Sequence, residues 1–179
     1  MPPPINNERD QRRRQAILDA ARHCFLQFGY AKTSLDDIAR RAGISRPLIY
    51  RKYRNKEEVL GALFEYLLEW RYPLAQEAVA ARGSRRTRLL RLYEILLLEP
   101  WDEVMNAPMA SEFYDACARL MPEVEANHER QQFKLTQAVL GDRELAELFM
   151  LAVEGLQSGL PSTKVLRKRV EALIDRFID

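Results

Sequence analysis

The sequence predicts an all-α fold with an N-terminal helix-turn-helix domain and a larger helical domain behind it. Three observations support this. Apolar residues recur every three or four positions in one segment after another, glycine and proline separate these segments, and basic charge is concentrated near the N-terminus. Hydrophobic residues make up 47% of the 179 residues, which is enough for a buried core. We expect residues 1–54 to form the first domain and residues 55–179 the second.

The first long helix is predicted from the spacing of its apolar residues. Residues 1–7 hold three prolines and no periodicity, so we expect a disordered arm there. From Glu8 to Phe28 the apolar residues return at helical spacing, and Gly29 follows as a stop. Cys24 lies on this apolar stripe and Cys117 on a later one, without a CxxC pair, so both are predicted to be buried free thiols.

Two short helices joined by a tight turn are predicted within residues 33–56, TSLDDIARRAGISRPLIYRKYRNK. Thr33 or Ser34 supplies a hydroxyl N-cap for the first helix, and acidic residues follow in its first turn. Gly43 stands where a left-handed residue would end that helix. Ser45 is placed to cap the second helix, and Pro47 falls in its first turn, where a missing N–H costs nothing.

The second short helix is predicted to expose more side chains than it buries. Ile49 and Tyr53 can face a core, which leaves the basic and polar residues of positions 46–52 exposed. Such a helix suits a DNA major groove, with its N-terminal residues at base edges and flanking Lys, Arg, Tyr and Ser at phosphates. A solvated charged face on an ordinary helical hairpin is the alternative. Residues 1–56 hold 13 Lys and Arg against 5 Asp and Glu, a net +8, whereas residues 57–179 carry −6, and this asymmetry favours a nucleic-acid partner for the N-terminal part.

Residues 10–60 resemble the DNA-binding signature of the TetR family of bacterial transcriptional regulators, with the motif at 33–56 matching in order and spacing. The resemblance implies that Thr33, Tyr50 and Lys56 contact phosphates and that Arg46, Pro47 and Leu48 lie nearest base edges. Arg51 and Lys52 stand where the family commonly has an aromatic residue and a His, which indicates heavier reliance on phosphate charge. The candidate DNA-binding residues are Thr33, Ser34, Ser45, Arg46, Pro47, Leu48, Tyr50, Arg51, Lys52 and Lys56.

The second domain is predicted to consist of further helices. Asn55 and Glu58 form a capping box for a helix that Pro73 ends or kinks after Trp70. An almost wholly apolar stretch over residues 87–99 predicts a buried central helix that stops at Pro100, followed by a short turn. Other helices are expected over residues 74–82, 108–121, 122–140, 145–156 and 165–177.

Aromatic and methionine side chains accumulate in the middle of the second domain. Such residues line apolar ligand cavities, but they also fill ordinary helical cores, and the sequence leaves both readings open. The family resemblance favours a cavity for an apolar or amphipathic small molecule, with Tyr93, His128 and Glu112 as polar anchors. The candidate pocket residues are Tyr66, Trp70, Tyr93, Leu97, Trp101, Met105, Phe113, Cys117 and His128.

The last two helices, within residues 143–178, each carry one apolar stripe. The resemblance implies a four-helix interface between two subunits, and the alternative is a pair that closes on its own monomer. A dimer would place two reading helices about 34 Å apart, as a palindromic operator requires. The candidate interface residues are Leu145, Leu148, Phe149, Ala152, Val153, Leu156, Val170, Leu173 and Phe177.

Several function classes find no support in the sequence. It contains no GxSxG, HExxH, Walker loop or dinucleotide-binding glycine pattern, so we expect no enzyme, no metal and no cofactor. With neither a signal peptide nor a membrane-length apolar run, a cytoplasmic protein without a membrane partner is expected. The sequence therefore predicts a homodimeric repressor that binds double-stranded DNA and is released by a small-molecule effector. The alternative is an effector-independent DNA-binding or DNA-bridging protein.

Overall fold

A computed structural model of the chain describes residues 5–178, with side chains from Glu8 onward. Within that range every regular element is helical, which confirms the predicted all-α class. None of these helices is long and apolar enough to cross a lipid bilayer. The elements are α1 (Ile5–Phe28), α2 (Leu35–Arg41), α3 (Arg46–Lys52), α4 (Lys56–Glu69), α5 (Arg71–Ala80), α6 (Arg85–Tyr93), a π-helical segment (Glu94–Leu98), α7 (Glu99–Met105), α8 (Ala110–Leu120), α9 (Pro122–Leu140), α10 (Arg143–Leu156) and α11 (Thr163–Phe177).

The first helix starts earlier than its apolar stripe. Residues 1–4 of the predicted disordered arm lie outside the described residues, whereas residues 5–7 belong to α1, so the arm was predicted too long. An apolar stripe marks the buried part of a helix and does not fix the residue at which the helix begins. Glu8 in the first turn also complements the positive end of the helix dipole.

The chain folds into two compact units that do not follow a single boundary in sequence. The first contains the described residues up to Tyr66 together with Ala107–Pro122, and the second contains Leu67–Asn106 and the residues from Glu123 onward. The predicted division between residues 54 and 55 differs from this arrangement. Most of α4 and all of α8 pack in the first unit, and the chain passes between the units three times.

The first unit has one apolar core. Helix α1 packs on α2 and α8, and α2 packs on α3. Cys24 and Cys117 are both buried and form no disulfide within the described part of the chain, as predicted. The buried side chains of this core include Ile17, Leu18, Ala21, Phe25, Leu35, Ile38, Ala39, Ile49, Val59, Leu60, Leu63, Phe113 and Ala116.

The second unit is built around the predicted central helix. Residues Ile95, Leu96, Leu97 and Leu98 are all buried, which confirms the buried position of this stretch. The predicted stop at Pro100 is wrong, and so is the short turn after it, because the chain continues into α7. The π-helical segment before Pro100 widens the hydrogen-bond ladder, with the Glu99 N–H donating to the Glu94 C=O, and Pro100 falls in the first turn of α7, where its missing N–H is tolerated.

Other boundaries follow the sequence closely. The break predicted near Trp70 is present, because α4 ends at Glu69 and α5 begins at Arg71. Within the second unit α10 packs on α11, and α11 packs on α6. Two ion pairs link α11 to the central helices, Arg86 to Asp175 at 2.6 Å and Arg167 to Glu94 at 2.8 Å. These pairs are at least partly exposed and contribute little to stability.

Candidate nucleic-acid interface

The start of α2 is fixed by a capping box. The Asp37 N–H donates to Ser34 Oγ at 3.2 Å, and the Ser34 N–H donates back to Asp37 Oδ2 at 3.0 Å. The Ser34 hydroxyl also donates to Asp37 Oδ2, at 2.5 Å, and this bond together with the one from the Ser34 N–H holds the pKa of Asp37 below its usual value. Ser34 is thus the N-cap residue, and its backbone position at the end of the α1–α2 loop (residues 29–34) is well defined.

The turn between α2 and α3 has the predicted geometry. Gly43 adopts φ +66°, in the left-handed region where a side chain would add strain. The Ser45 carbonyl accepts from the N–H groups of Leu48 and Ile49, which starts α3. The Ser45 hydroxyl makes no capping hydrogen bond, contrary to expectation. Because Ser45 is exposed, that hydroxyl is available to an external acceptor such as a phosphate.

Helix α3 presents nearly its whole surface to solvent. Ile49 is its only buried residue, and Leu48 is half-buried. Tyr50 is 49% exposed although it is a large aromatic residue. The remaining exposed residues are Arg46, Pro47, Arg51 and Lys52. The helix is thus anchored by one side chain and offers the predicted base-reading and phosphate-binding groups outward.

Two acidic residues that the sequence did not single out as site residues hold basic groups of α3. Asp36 on α2 pairs with Arg46 through Oδ2 at 2.6 Å, and its buried Oδ1 has no hydrogen-bond partner. Asp10 on α1 pairs with Lys52 at 3.5 Å. The sequence showed Asp36 only as a helix-dipole residue, because its approach to Arg46 depends on the angle between α2 and α3. Both pairs orient cations near the start and end of α3.

Two of the side chains that the resemblance assigns to phosphates make hydrogen bonds inside the protein. Thr33 is 4% exposed, and its hydroxyl donates to the Gly29 carbonyl at 2.7 Å. The Lys56 ammonium donates to the carbonyls of Tyr30, Ala31 and Thr33 at 2.7, 3.1 and 3.2 Å. An ammonium has three N–H donors, so all three are in use. Thr33 and Lys56 therefore hold the α1–α2 loop in this structure, and their phosphate contacts stay predictions.

Comparisons with known proteins agree with this geometry. Residues 17–63 match the sequence model of the family described as bacterial regulatory proteins, tetR family. Over 100 residues the chain is 32% identical to the uncharacterized HTH-type transcriptional regulator TtgW of Pseudomonas putida, an alignment that covers 56% of this chain and 68% of TtgW. The chain belongs to the TetR family. The family match extends from the middle of α1 into α4, so it includes α2 and α3 but not α8.

Two further proteins similar to this TetR-family chain match different shares of its length. The chain is 36% identical over 97 residues to the HTH-type transcriptional regulator TtgR of Pseudomonas putida, covering 51% of this chain and 46% of TtgR. It therefore spans about half the length of that relative. The solved SmeT–triclosan complex superposes with a TM-score of 0.67 at 20% identity, covering 92% of this chain and 89% of that chain. The similarity to SmeT is therefore a similarity of fold.

The candidate pocket residues do not all belong to one unit. Tyr66, Phe113 and Cys117 lie in the first unit, and the other six lie in the second. Within the second unit Trp70 is 46% exposed and stacks on the Arg71 guanidinium at 4.2 Å. The six candidate pocket residues in the second unit are Trp70, Tyr93, Leu97, Trp101, Met105 and His128.

Three polar candidates in the second unit have internal partners. The Tyr93 hydroxyl lies 2.9 Å from Thr136 Oγ1, and burial raises the pKa of Tyr93 far above its usual value. The Trp101 indole N–H donates to the Pro161 carbonyl at 2.9 Å. His128 Nδ1 lies 2.6 Å from the Tyr72 hydroxyl, and burial lowers the pKa of His128 to about 4. His128 is therefore neutral at physiological pH.

The candidate interface residues divide into an inner and an outer set. Phe149, Val153 and Val170 are buried within the chain itself, so they belong to its own core. This burial results from the packing of α10 on α11, which the sequence pattern cannot separate from packing between subunits. Leu148 is 58% exposed, and Leu151, which the sequence did not single out, is 65% exposed. The remaining candidates, Leu145, Ala152, Leu156, Leu173 and Phe177, are half-buried.

Proposed function

We propose that this protein is a DNA-binding transcriptional regulator that acts as a homodimer on a palindromic operator in the cytoplasm. The observation that carries the proposal is the exposure of α3, which buries Ile49 alone and turns Arg46, Tyr50 and Arg51 outward. A helix of seven residues with one buried side chain gains little from burial, so its surface has another use. Membership of the TetR family supports the same conclusion.

Within this proposal Arg46 is the base-reading residue. It is the first residue of α3, and the N-terminal residues of a recognition helix reach base edges in the major groove. Asp36 holds its guanidinium in place, and a positioned arginine binds guanine O6 and N7 with two hydrogen bonds. Ser34, Ser45, Tyr50, Arg51 and Lys52 surround it as phosphate ligands, and Pro47 and Leu48 lie beside the bases.

The proposed dimer uses the outer faces of α10 and α11. Leu148 and Leu151 are exposed on α10, and Val165 on α11 is 41% exposed. Exposed apolar side chains on two helices that pack together favour an interaction surface. A symmetric contact between two copies buries them and supplies the two recognition helices that a palindrome needs.

The proposed mode of regulation is repression relieved by an apolar or amphipathic small molecule. Helix α4 begins at Lys56, which holds the α1–α2 loop, and continues beyond Tyr66 into the second unit. A ligand in the second unit that displaces α4 would change the separation of the two DNA-binding units. The SmeT complex with triclosan supports only the suitability of this fold for such a ligand. To shift the equilibrium, the ligand must bind the released form more tightly than the DNA-bound form.

An effector-independent DNA-binding or DNA-bridging protein is the second candidate function. It is favoured by the internal partners of Tyr93, Trp101 and His128, since satisfied polar groups are typical of a filled core. The two candidates differ in one outcome. A small molecule that raises the melting temperature and releases bound DNA supports the repressor, whereas weak sequence preference without ligand release supports the bridging protein.

The test of sequence-specific binding starts with duplexes enriched by the wild-type protein from a random-sequence pool. Fluorescence anisotropy then compares the enriched duplex with a scrambled one at two salt concentrations. We expect Arg46→Ala to reduce discrimination between the duplexes by about 1–3 kcal/mol. Arg82→Ala, an exposed arginine of the second unit, is the control with the same change in charge. Equal weakening of both duplexes by Arg46→Ala would refute the base-reading role.

A further inference from the structure

We propose that Glu112 is a positioning residue for DNA binding, although it lies far outside the helix-turn-helix in sequence. This inference rests on the proposed function and adds a residue of α8 to it. The Glu112 carboxylate accepts a hydrogen bond from the Ala31 N–H at 2.8 Å across a separation of 81 residues. Ala31 lies in the α1–α2 loop, three residues before the Ser34 N-cap of α2.

The loop is held from two sides at the same residue. Glu112 accepts from the Ala31 N–H, and the Lys56 ammonium donates to the Ala31 carbonyl. Lys56 also binds the carbonyls of Tyr30 and Thr33, and it lies 4.4 Å from the centroid of the Tyr30 ring. A carboxylate and an ammonium therefore fix both polar groups of Ala31. Charge-assisted hydrogen bonds of this kind are stronger than neutral ones.

Two side chains at the start of α8 lie directly against Gly29 of the loop. Gly29 has φ +89°, and a Cβ atom at this position would lie 2.4 Å from Glu112 Oε2 and 3.0 Å from Met109 Cε. The Met109 N–H also donates to the Leu26 carbonyl at 3.1 Å. Gly29 thus admits the first turn of α8 against the end of α1, and Glu112 reaches the loop from there.

The other end of α8 is fixed in the same unit. A Cβ atom at Gly61 of α4 would lie 2.9 Å from Met121 Sδ, so the residue that follows α8 packs directly on the α4 backbone. Phe113 and Cys117 on α8 are buried. Contacts at both ends and along its buried face hold α8 in the first unit, and Glu112 contacts Ala31 from there.

The consequence for DNA binding follows from the shortness of the loop. Residues 29–34 connect α1 to α2, and α2 carries Asp36, which holds Arg46. With the Ala31 N–H released, the loop gains alternative conformations, and the start of α2 and the Ser34 backbone are less well fixed. Binding to DNA must then restore the ordered loop, which lowers affinity. Glu112 never touches DNA in this account and acts through Ala31.

The test compares three variants of the full chain. Glu112→Ala removes the acceptor, Glu112→Gln keeps a carbonyl acceptor at the same position, and Asp115→Ala removes an exposed carboxylate from the same helix. All three raise the net charge by one, so their general attraction to DNA changes equally. Affinity is measured for the duplex enriched by the wild-type protein, well below every melting temperature. Exchange of the Ala31 amide hydrogen is followed in the same samples.

We expect Glu112→Ala to weaken DNA binding about tenfold relative to Asp115→Ala, since a hydrogen bond to a charged group is lost. Glu112→Gln should recover most of this affinity, and the Ala31 amide should exchange about tenfold faster in Glu112→Ala alone. Equal affinities of Glu112→Ala and Asp115→Ala, or an unchanged Ala31 exchange rate, would overturn the proposal. Should the wild type enrich no duplex, the proposed function fails, while the exchange rates still decide whether Glu112 holds the loop.

Discussion

Replacing Lys56 by methionine tests whether this side chain holds the α1–α2 loop or binds a phosphate. The change keeps the length of the aliphatic chain and removes the ammonium, with its bonds to the carbonyls of Tyr30, Ala31 and Thr33. The three bonds share one charged group, so their contributions do not add. A hydrogen bond to a charged group contributes about 1.5–3 kcal/mol, and the contact with the Tyr30 ring adds about 0.5–1 kcal/mol.

The expected loss in unfolding free energy is therefore about 3 kcal/mol, or roughly 6–12 °C in melting temperature for a chain of this size. Thermal unfolding followed by circular dichroism measures it. The matched control is Lys52→Met, because among the described residues the contact of the Lys52 ammonium is an ion pair with Asp10 at 3.5 Å. Its loss should be under about 1 kcal/mol.

The salt dependence of DNA binding should show the reverse order, with the larger effect from Lys52→Met and the smaller one from Lys56→Met. Each phosphate contact contributes about 0.9 to the slope of log affinity against log salt concentration. We expect Lys52→Met to lower that slope by about this amount and Lys56→Met to leave it nearly unchanged. The structural role of Lys56 is refuted if Lys56→Met melts within about 2 °C of the wild type. An equal reduction of the salt slope by both variants would also refute the structural role of Lys56.

Two further predictions concern the second unit. Burial lowers the pKa of His128 to about 4, so the unfolded chain takes up a proton first as the pH falls below 6.5, and stability declines from there to about pH 4. Between about pH 7.5 and 5, urea titrations should show the wild type losing about 2 kcal/mol more than His128→Gln, and equal losses would contradict the buried neutral imidazole. The double change Leu148→Lys and Leu151→Lys should give monomers by light scattering, whereas Leu74→Lys, at another exposed leucine, should leave the dimer intact. A dimer that survives both lysines would exclude this face of α10 as the interface.

Local sequence determined the helix-turn-helix almost completely. The capping box of Ser34 and Asp37, the left-handed Gly43 and the proline in the first turn of α3 each depend on interactions between residues close in the chain. Such interactions are set by residue type and spacing, so they can be read directly from sequence. The buried stripe of α1 and the long apolar stretch before Pro100 are predictable for the same reason, although the π-helical segment that carries the chain past Pro100 is not.

Tertiary structure alone decided which partners the charged and polar groups have. The sequence offers Lys56 as a basic residue beside a DNA-binding motif, but the fold places three loop carbonyls around its ammonium. Glu112 appears in the sequence as a polar residue of a later domain, yet its carboxylate lies on the Ala31 N–H. A charged side chain binds the nearest complementary group in space, and over 81 residues of chain no local pattern specifies which group that is. The sequence therefore determined the motif, and the packing of α4 and α8 decided how the motif is held.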